Sequence, residues 1–239
     1  YISQTPVEQT HMANALTFEL SKVKRLSIRK RMVGHLRHID DGLAKEVADG
    51  LGLDEMPDKV PAARDPITDL PESPALSILK NGPGSFKGRK LGIYIAEGAD
   101  AGVVKALKDA TTGAGGMVEI VAPHVAGAKL SDGTMMAADE KIDGGPSVTY
   151  DAVAVVMSEA SAQRYNTDKP SVDFVNDAFA HAKFVAYVPE VKPLFETAGI
   201  WDWMDDGFVD VSGGKDAAKQ FIESCGKLRF WNRESIKQN

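Results

Sequence analysis

A single cysteine, Cys225, leaves this 239-residue chain without a pair to close a disulfide, so the fold must rest on its buried core. Such sparing use suits a reducing compartment, and the composition is compatible with the cytoplasm. Positive charge is in deficit as well: 28 Lys and Arg against 34 Asp and Glu give a net charge of -6. Nucleic acid and anionic membrane surfaces both require a concentrated positive field, so neither is expected as a partner. The basic runs Lys22-Val23-Lys24-Arg25 and Arg29-Lys30-Arg31 read as a solvated helix face. No apolar run approaches the roughly 20 residues that span a bilayer. Tyr1-Ile2-Ser3-Gln4 has neither the basic nor the apolar region of a signal peptide, and an opening without Met is expected of a stretch from within a longer parent chain.

Cofactor motifs are equally scarce. Gly82-Pro83-Gly84 with Gly88-Arg89-Lys90 looks superficially like a phosphate loop, but it precedes an expected strand instead of following one and does not match G-x-x-x-x-G-K-[ST]. Gly113-Ala114-Gly115-Gly116 ends an expected helix, where a left-handed cap is reason enough for glycine. No flavin or nucleotide is therefore expected. The five histidines, His11, His35, His38, His124 and His181, never recur at the spacing that sets two ligands on one helix face beside an acid. His35 and His38, three apart in a basic helix, read as a surface pair, so no metal is expected.

What is present divides the chain in three. Residues 1–54 read as a small helical segment. Thr5, Pro6 and Glu8 compose a capping signal. Met12, Leu16, Leu20 and Val23 follow at helical spacing, then Ile28, Met32, Leu36 and Ile39, then Leu43, Val47 and Leu51. Three short amphipathic helices cannot bury a core of this scale alone, so their apolar stripes must face something else. Residues 55–88 hold six of the chain's 12 prolines, which forbids helix and predicts an extended linker. Leu70, Leu76, Ile78 and Leu79 are too apolar for a free tether, and part of the linker is expected to lie along a domain surface.

From residue 89 to 239 apolar runs alternate with helical segments, as in a doubly wound α/β sheet. Strands are predicted at Leu91 to Ala96, Met117 to Val121, Ala152 to Val156, Phe184 to Val188 and Phe208 to Val211. Helices are predicted at Ala101 to Ala114, Val172 to Ala182, Val191 to Ala198 and Lys215 to Ser224. Continuous apolar strands are buried on both faces and belong to a parallel sheet. Lys129 to Ile142, with its Asp132-Gly133 turn, reads as a hairpin outside the main sheet.

Ligands of an open parallel sheet sit at the carboxyl ends of its strands. The exits here are Glu97-Gly98-Ala99-Asp100, Pro123-His124, Ser158-Glu159 and Pro189-Glu190. Covalent catalysis would need Ser, Cys or Thr on a tight strand-to-helix turn, and the fourth exit reads Tyr187-Val188-Pro189-Glu190, with no heteroatom at Val188. Cys225, at the end of the last predicted helix, reads as a packing residue. Asp100 and Glu97 are acid or base candidates by position, but carboxylates after a first strand more often cap the next helix.

Several motifs then converge on one family. Gly88-Arg89-Lys90-Leu91-Gly92, Ala96 to Asp100, Val118 to Pro123, Leu130-Ser131-Asp132-Gly133-Thr134, Tyr150 to Val153 and Asp173 to His181 resemble the carboxy-terminal domain of large-subunit haem catalases. Glu8-Gln9, Leu16 to Val23 and Ile39-Asp40 resemble the last helices of the catalase core, so the resemblance covers nearly the whole chain. That domain is similar to class I glutamine amidotransferases and PfpI-type proteases, which implies a flavodoxin-like sandwich of parallel sheet and helices. Those enzymes carry a cysteine at the elbow matching Val188 and an acid matching Asp100; only the acid is retained here.

The resemblance implies a non-catalytic module that stabilises the subunit and tetramer of a parent catalase, with the catalase core and sister subunits as partners. It implies haem in the parent and no cofactor in this stretch. None of Tyr1, Tyr94, Tyr150, Tyr165 or Tyr187 has an arginine four residues before it, as the family's R-x-x-x-Y haem ligand would. Exposed stripes on residues 1–54 would also suit a holdase-like chaperone acting on unfolded clients. The alternative is a residual small-molecule hydrolase or deglycase using Asp100 near Ser158, Glu159 and Glu190.

Overall fold

The computed structural model describes residues 1–238. They form two compact units, one of residues 1–81 and one beginning at Gly82.

In the first unit, α1 (Pro6–Ser21), α2 (Leu26–Leu36) and α3 (Asp41–Gly50) bury Ala13, Val33, Leu36, Leu43, Ala44, Val47 and Ala48 against one another. The start of α1 is fixed by Pro6 at its first position and by Glu8, whose carboxylate accepts from the Thr5 amide at 3.0 Å and the Thr5 hydroxyl at 2.7 Å. Asp40 caps α3 by accepting from the Leu43 amide at 2.8 Å.

The proline-rich segment is tied to these helices through its backbone. Arg37 donates to the Pro57 carbonyl at 3.0 Å, His38 meets the Val60 carbonyl, and the Val60 amide donates to Gly34 at 3.4 Å. Glycine is required there, because a Cβ at position 34 would lie 2.6 Å from the Asp58 carbonyl oxygen. Farther along, the Ser73 amide donates to Ser3 at 2.8 Å and the Ile78 amide to Glu8 at 2.5 Å. The apolar side chains Leu70, Leu76, Ile78 and Leu79 are exposed, so hydrogen bonds and not side-chain burial fix this segment.

The second unit contains β1 (Lys90–Ile95), α4 (Ala101–Gly113), β2 (Met117–Ala122), β3 (Ala128–Lys129), β4 (Met135–Met136), β5 (Glu140–Lys141) and β6 (Ala152–Val156). There follow α5 (Glu159–Tyr165), α6 (Lys169–Ala180), β7 (Val185–Tyr187), α7 (Lys192–Thr197), β8 (Phe208–Asp210) and α8 (Lys215–Cys225). The main sheet runs β5-β2-β1-β6-β7-β8 with every pairing parallel, and Ile93 of β1 lies in register with Ile120 and Ala154. This is a flavodoxin-like order with one extra edge strand.

That edge refines the predicted hairpin. β3 and β4 do pair antiparallel outside the main sheet, but Glu140–Lys141 then joins β2 as a sixth, parallel strand. Two charged residues give no apolar run to read. Helix α5 also escaped sequence reading, because seven residues are too few to establish a period. Gly92, inside β1, makes room for the Tyr150 ring, from which a Cβ there would be 2.4 Å.

Candidate functional site

The carboxyl edge of the sheet is where chemistry would be built, and its polar groups are largely engaged in holding turns. Asp100 is the N-cap of α4, accepting from the Val103 amide at 2.8 Å. The Ser158 and Ser161 hydroxyls donate to the Glu97 carbonyl at 2.7 and 2.8 Å, while the Glu97 carboxylate accepts from the Lys129 amide at 3.2 Å. Ser158 also caps α5. These bonds join the exits of β1 and β6 to the β3–β4 hairpin. Gly98 sits at a φ of 77°, and a Cβ on it would lie 2.9 Å from Ser158 Cβ.

At the exit of β7, Val188 is buried and adopts φ -114° and ψ 150°, relaxed extended backbone without the strain of a nucleophile elbow. Pro189–Val191 forms one 3-10 turn leading into α7. Behind it Tyr187 contacts the rings of Phe195 and Trp201, with centroids 6.0 and 6.4 Å away. Burial, and then Asp210, raise the Tyr187 phenol above its usual range. The turn is thus filled by apolar and aromatic side chains.

Pro189 and Glu190 border an open groove of about 820 Å³, shared with Glu159, Asn166, Lys192 and Glu196. Its one lysine is engaged, lying 3.5 Å from Glu196 and 5.4 Å from the centre of the Trp201 ring. Asp100 lines a different depression of about 410 Å³ with Ser212, Gly213, Gly214 and Lys215. The acid and the Val188 turn therefore open onto separate surfaces. Of the other sequence candidates, Ser158 faces the Glu97 turn and Cys225 is buried in the core, where loss of solvent pushes its thiol up and away from reactivity.

Among the described residues no group of three or more His, Cys, Asp or Glu could hold a metal ion, and no helix is long and apolar enough to cross a membrane. Tyr94 and Tyr150 do not fit a haem ligand, which must ionise. Tyr94 is buried and shares a 2.6 Å hydrogen bond with Ser171, Tyr150 is buried under the sheet, and burial raises both phenols.

Two buried cations, neither of them a sequence candidate, stand at the opposite end. Lys183 donates to the Ser147 and Tyr150 carbonyls, and burial lowers it to about 8. Arg233 donates to both Asp205 oxygens at 2.6 and 2.8 Å and lies over the rings of Phe179, Phe208 and Phe230. A basic residue beside apolar ones was the sole sequence signal for either, and it is common at any surface.

Comparison with known proteins places the chain. Residues 87–235 match the family described as the C-terminal domain found in long catalases, and residues 1–51 match the catalase-related immune-responsive family. The chain belongs to the long-catalase C-terminal domain family. It is 47% identical over 234 residues to Catalase C of Rhizobium meliloti (strain 1021), covering 98% of this chain and 33% of that protein. Catalase HPII of Pseudomonas aeruginosa is 32% identical over 98% of this chain and 32% of its own length; Catalase-B of Dictyostelium discoideum is 33% identical over 98% and 33%. The chain thus spans about a third of the curated relatives it matches.

Proposed function

We propose that this chain is the non-catalytic carboxy-terminal module of a large-subunit haem catalase, and that it stabilises the subunit and tetramer of a parent that dismutes hydrogen peroxide to water and oxygen. The observation that carries this reading is an apolar groove of about 550 Å³ on the helical unit, lined by Tyr1, Met12, Leu16, Met32, Ile39 and Leu43. A face so poor in polar groups is a docking surface for more protein, and the catalase core is the partner that the family provides. Haem would be held by that core, since no tyrosine here has the R-x-x-x-Y setting and buried Tyr94 and Tyr150 resist ionisation. Val188, buried on a relaxed turn, and Asp100, spent as a cap, support the absence of chemistry in this stretch. Deleting these residues from the full parent chain tests the reading: tetramer should dissociate in sedimentation and heat inactivation should come earlier. An intact, equally heat-stable tetramer would contradict it.

The same groove favours a second expression of the module. Uncovered, it would capture unfolded chains as a holdase does. The chain alone should suppress light scattering by a heated client, and Leu16→Asp should remove the effect; unchanged scattering with the unaltered chain refutes it.

A further inference from the structure

Gly82-Pro83-Gly84 with Gly88-Arg89-Lys90, which does not match a phosphate loop, leads into the amino end of the sheet, and Gly84 and Ser85 lie against the end of α8. A Cβ on Gly226 would stand 3.2 Å from the Gly84 carbonyl carbon and the Ser85 nitrogen, so the two segments touch along their backbones. Asp151 ties this end together. Its carboxylate accepts from the Lys90 amide at 2.9 Å, and its own amide donates to the Lys90 carbonyl at 2.9 Å.

Arg89 and Arg229 flank that junction, and neither forms an ion pair among the described residues. Arg229 spends one nitrogen on the Asp151 and Leu228 carbonyls, at 3.3 and 2.8 Å. The Nε of Arg89 is buried and has no acceptor. Such a donor costs free energy unless something accepts from it. Charge points the same way. The Lys183 ammonium adds positive charge that acts on Arg229's neighbourhood, while the carboxylates of Asp151, which acts on both Arg229 and Lys183, and of Asp177 on α6 offset part of it. Burial lowers Arg229 below its usual range; Asp151 opposes this and Arg89 adds to it, so the two guanidinium groups feel each other. Leu228 is held at a φ of 73°, a conformation unfavourable for leucine that turns the chain just before Arg229.

We propose that Arg89 and Arg229 form a binding site for a small tetrahedral oxyanion of the phosphate or sulfate type, where residues 84–89 and 225–229 meet. Guanidinium donors match oxyanion geometry; the half-buried Arg89 side chain has no partner to hold its Nε inward, so it can turn to a bound anion, which would supply the missing acceptor and relieve the repulsion between two cations. The recognition comes from side chains, which explains why the glycine pattern of a phosphate loop is neither present nor needed.

The test is a titration of the 239-residue chain with inorganic phosphate, and separately with sulfate, at ionic strength held constant with chloride, read by thermal melting. Saturable stabilisation by phosphate or sulfate but not chloride is expected. Arg89→Gln should shift the midpoint about tenfold to higher anion, the equivalent of one charge-assisted hydrogen bond. Because the Arg89 Nε has no partner to lose, this variant should melt no earlier than the parent when no anion is added. Stabilisation that follows ionic strength alone, or an unchanged midpoint in Arg89→Gln, overturns the proposal.

Discussion

The two units bury very different amounts of material. Helices α1 to α3 share a core of seven described residues, three of them alanine, while Met12, Phe18, Leu26, Ile28 and Ile39 remain exposed on the same unit. The α/β unit buries whole strands on both faces, together with the rings of Phe86, Tyr94, Phe174, Phe195 and Phe221. A helix has one apolar stripe and needs a second layer to cover it; a parallel sheet clothed in helices supplies both layers itself. One unit therefore builds a two-sided core of its own, while the other keeps a small core and leaves large apolar side chains exposed.

The sharpest contrast is between rings. Phe174 is buried with its centroid 5.5 Å from that of Tyr94, so Phe174→Ala should cost about 3–5 kcal/mol in urea unfolding. Phe18, with 63% of its surface exposed, should change stability by no more than about 0.5 kcal/mol on replacement by Ala. Equal costs would erase the distinction. Next in size, Arg233→Ala leaves Asp205 unpaired and empties the space between three rings, for a loss of about 3 kcal/mol. An unchanged melting curve would mean that the chain's end contributes nothing to the α/β unit.

Lys183 gives a smaller, pH-dependent effect. Folding lowers its pKa from 10.5 to about 8, so between those values the unfolded chain holds the proton more often than the folded one. Stability therefore rises as pH increases from about 8 toward 10.5, by roughly 1–2 kcal/mol relative to Lys183→Met, which lacks the proton. A parallel pH profile for the two proteins would refute the assignment. The smallest effect belongs to the helical unit. Burial would raise the Glu8 carboxyl, but hydrogen bonds from Thr5 and Ile78 outweigh it and hold the group below its usual range. Its contribution is complete above the ordinary glutamate value and disappears as pH falls through the lower folded one. Glu8→Ala should cost about 1 kcal/mol and hasten proteolysis near Ile78, while leaving the α/β unit's own unfolding unmoved.

Much of the α/β unit was legible because buried parallel strands are continuous apolar runs: β1 and β6 stand where Leu91 to Ala96 and Ala152 to Val156 predicted them. Asp100 as a helix cap and Cys225 as a core residue followed from local chemistry alone. What escaped depends on distant partners. Nothing in the local sequence says that Lys183 ends on two backbone carbonyls, that Arg233 is enclosed by rings 25 and 54 positions earlier, or that Glu140–Lys141 extends the sheet. Part of the linker does lie along the helical unit as expected, but amides spared between prolines hold it there, and its apolar side chains stay exposed.

Hydrogen exchange on the native 239-residue chain tests the unequal cores of the two units most directly. Amides of β1 and β6 should exchange only through global unfolding, and those of α1, α2 and α3 several orders of magnitude faster, through local opening of a helical unit with so small a core. Protection of the three helices equal to that of the sheet would contradict the account.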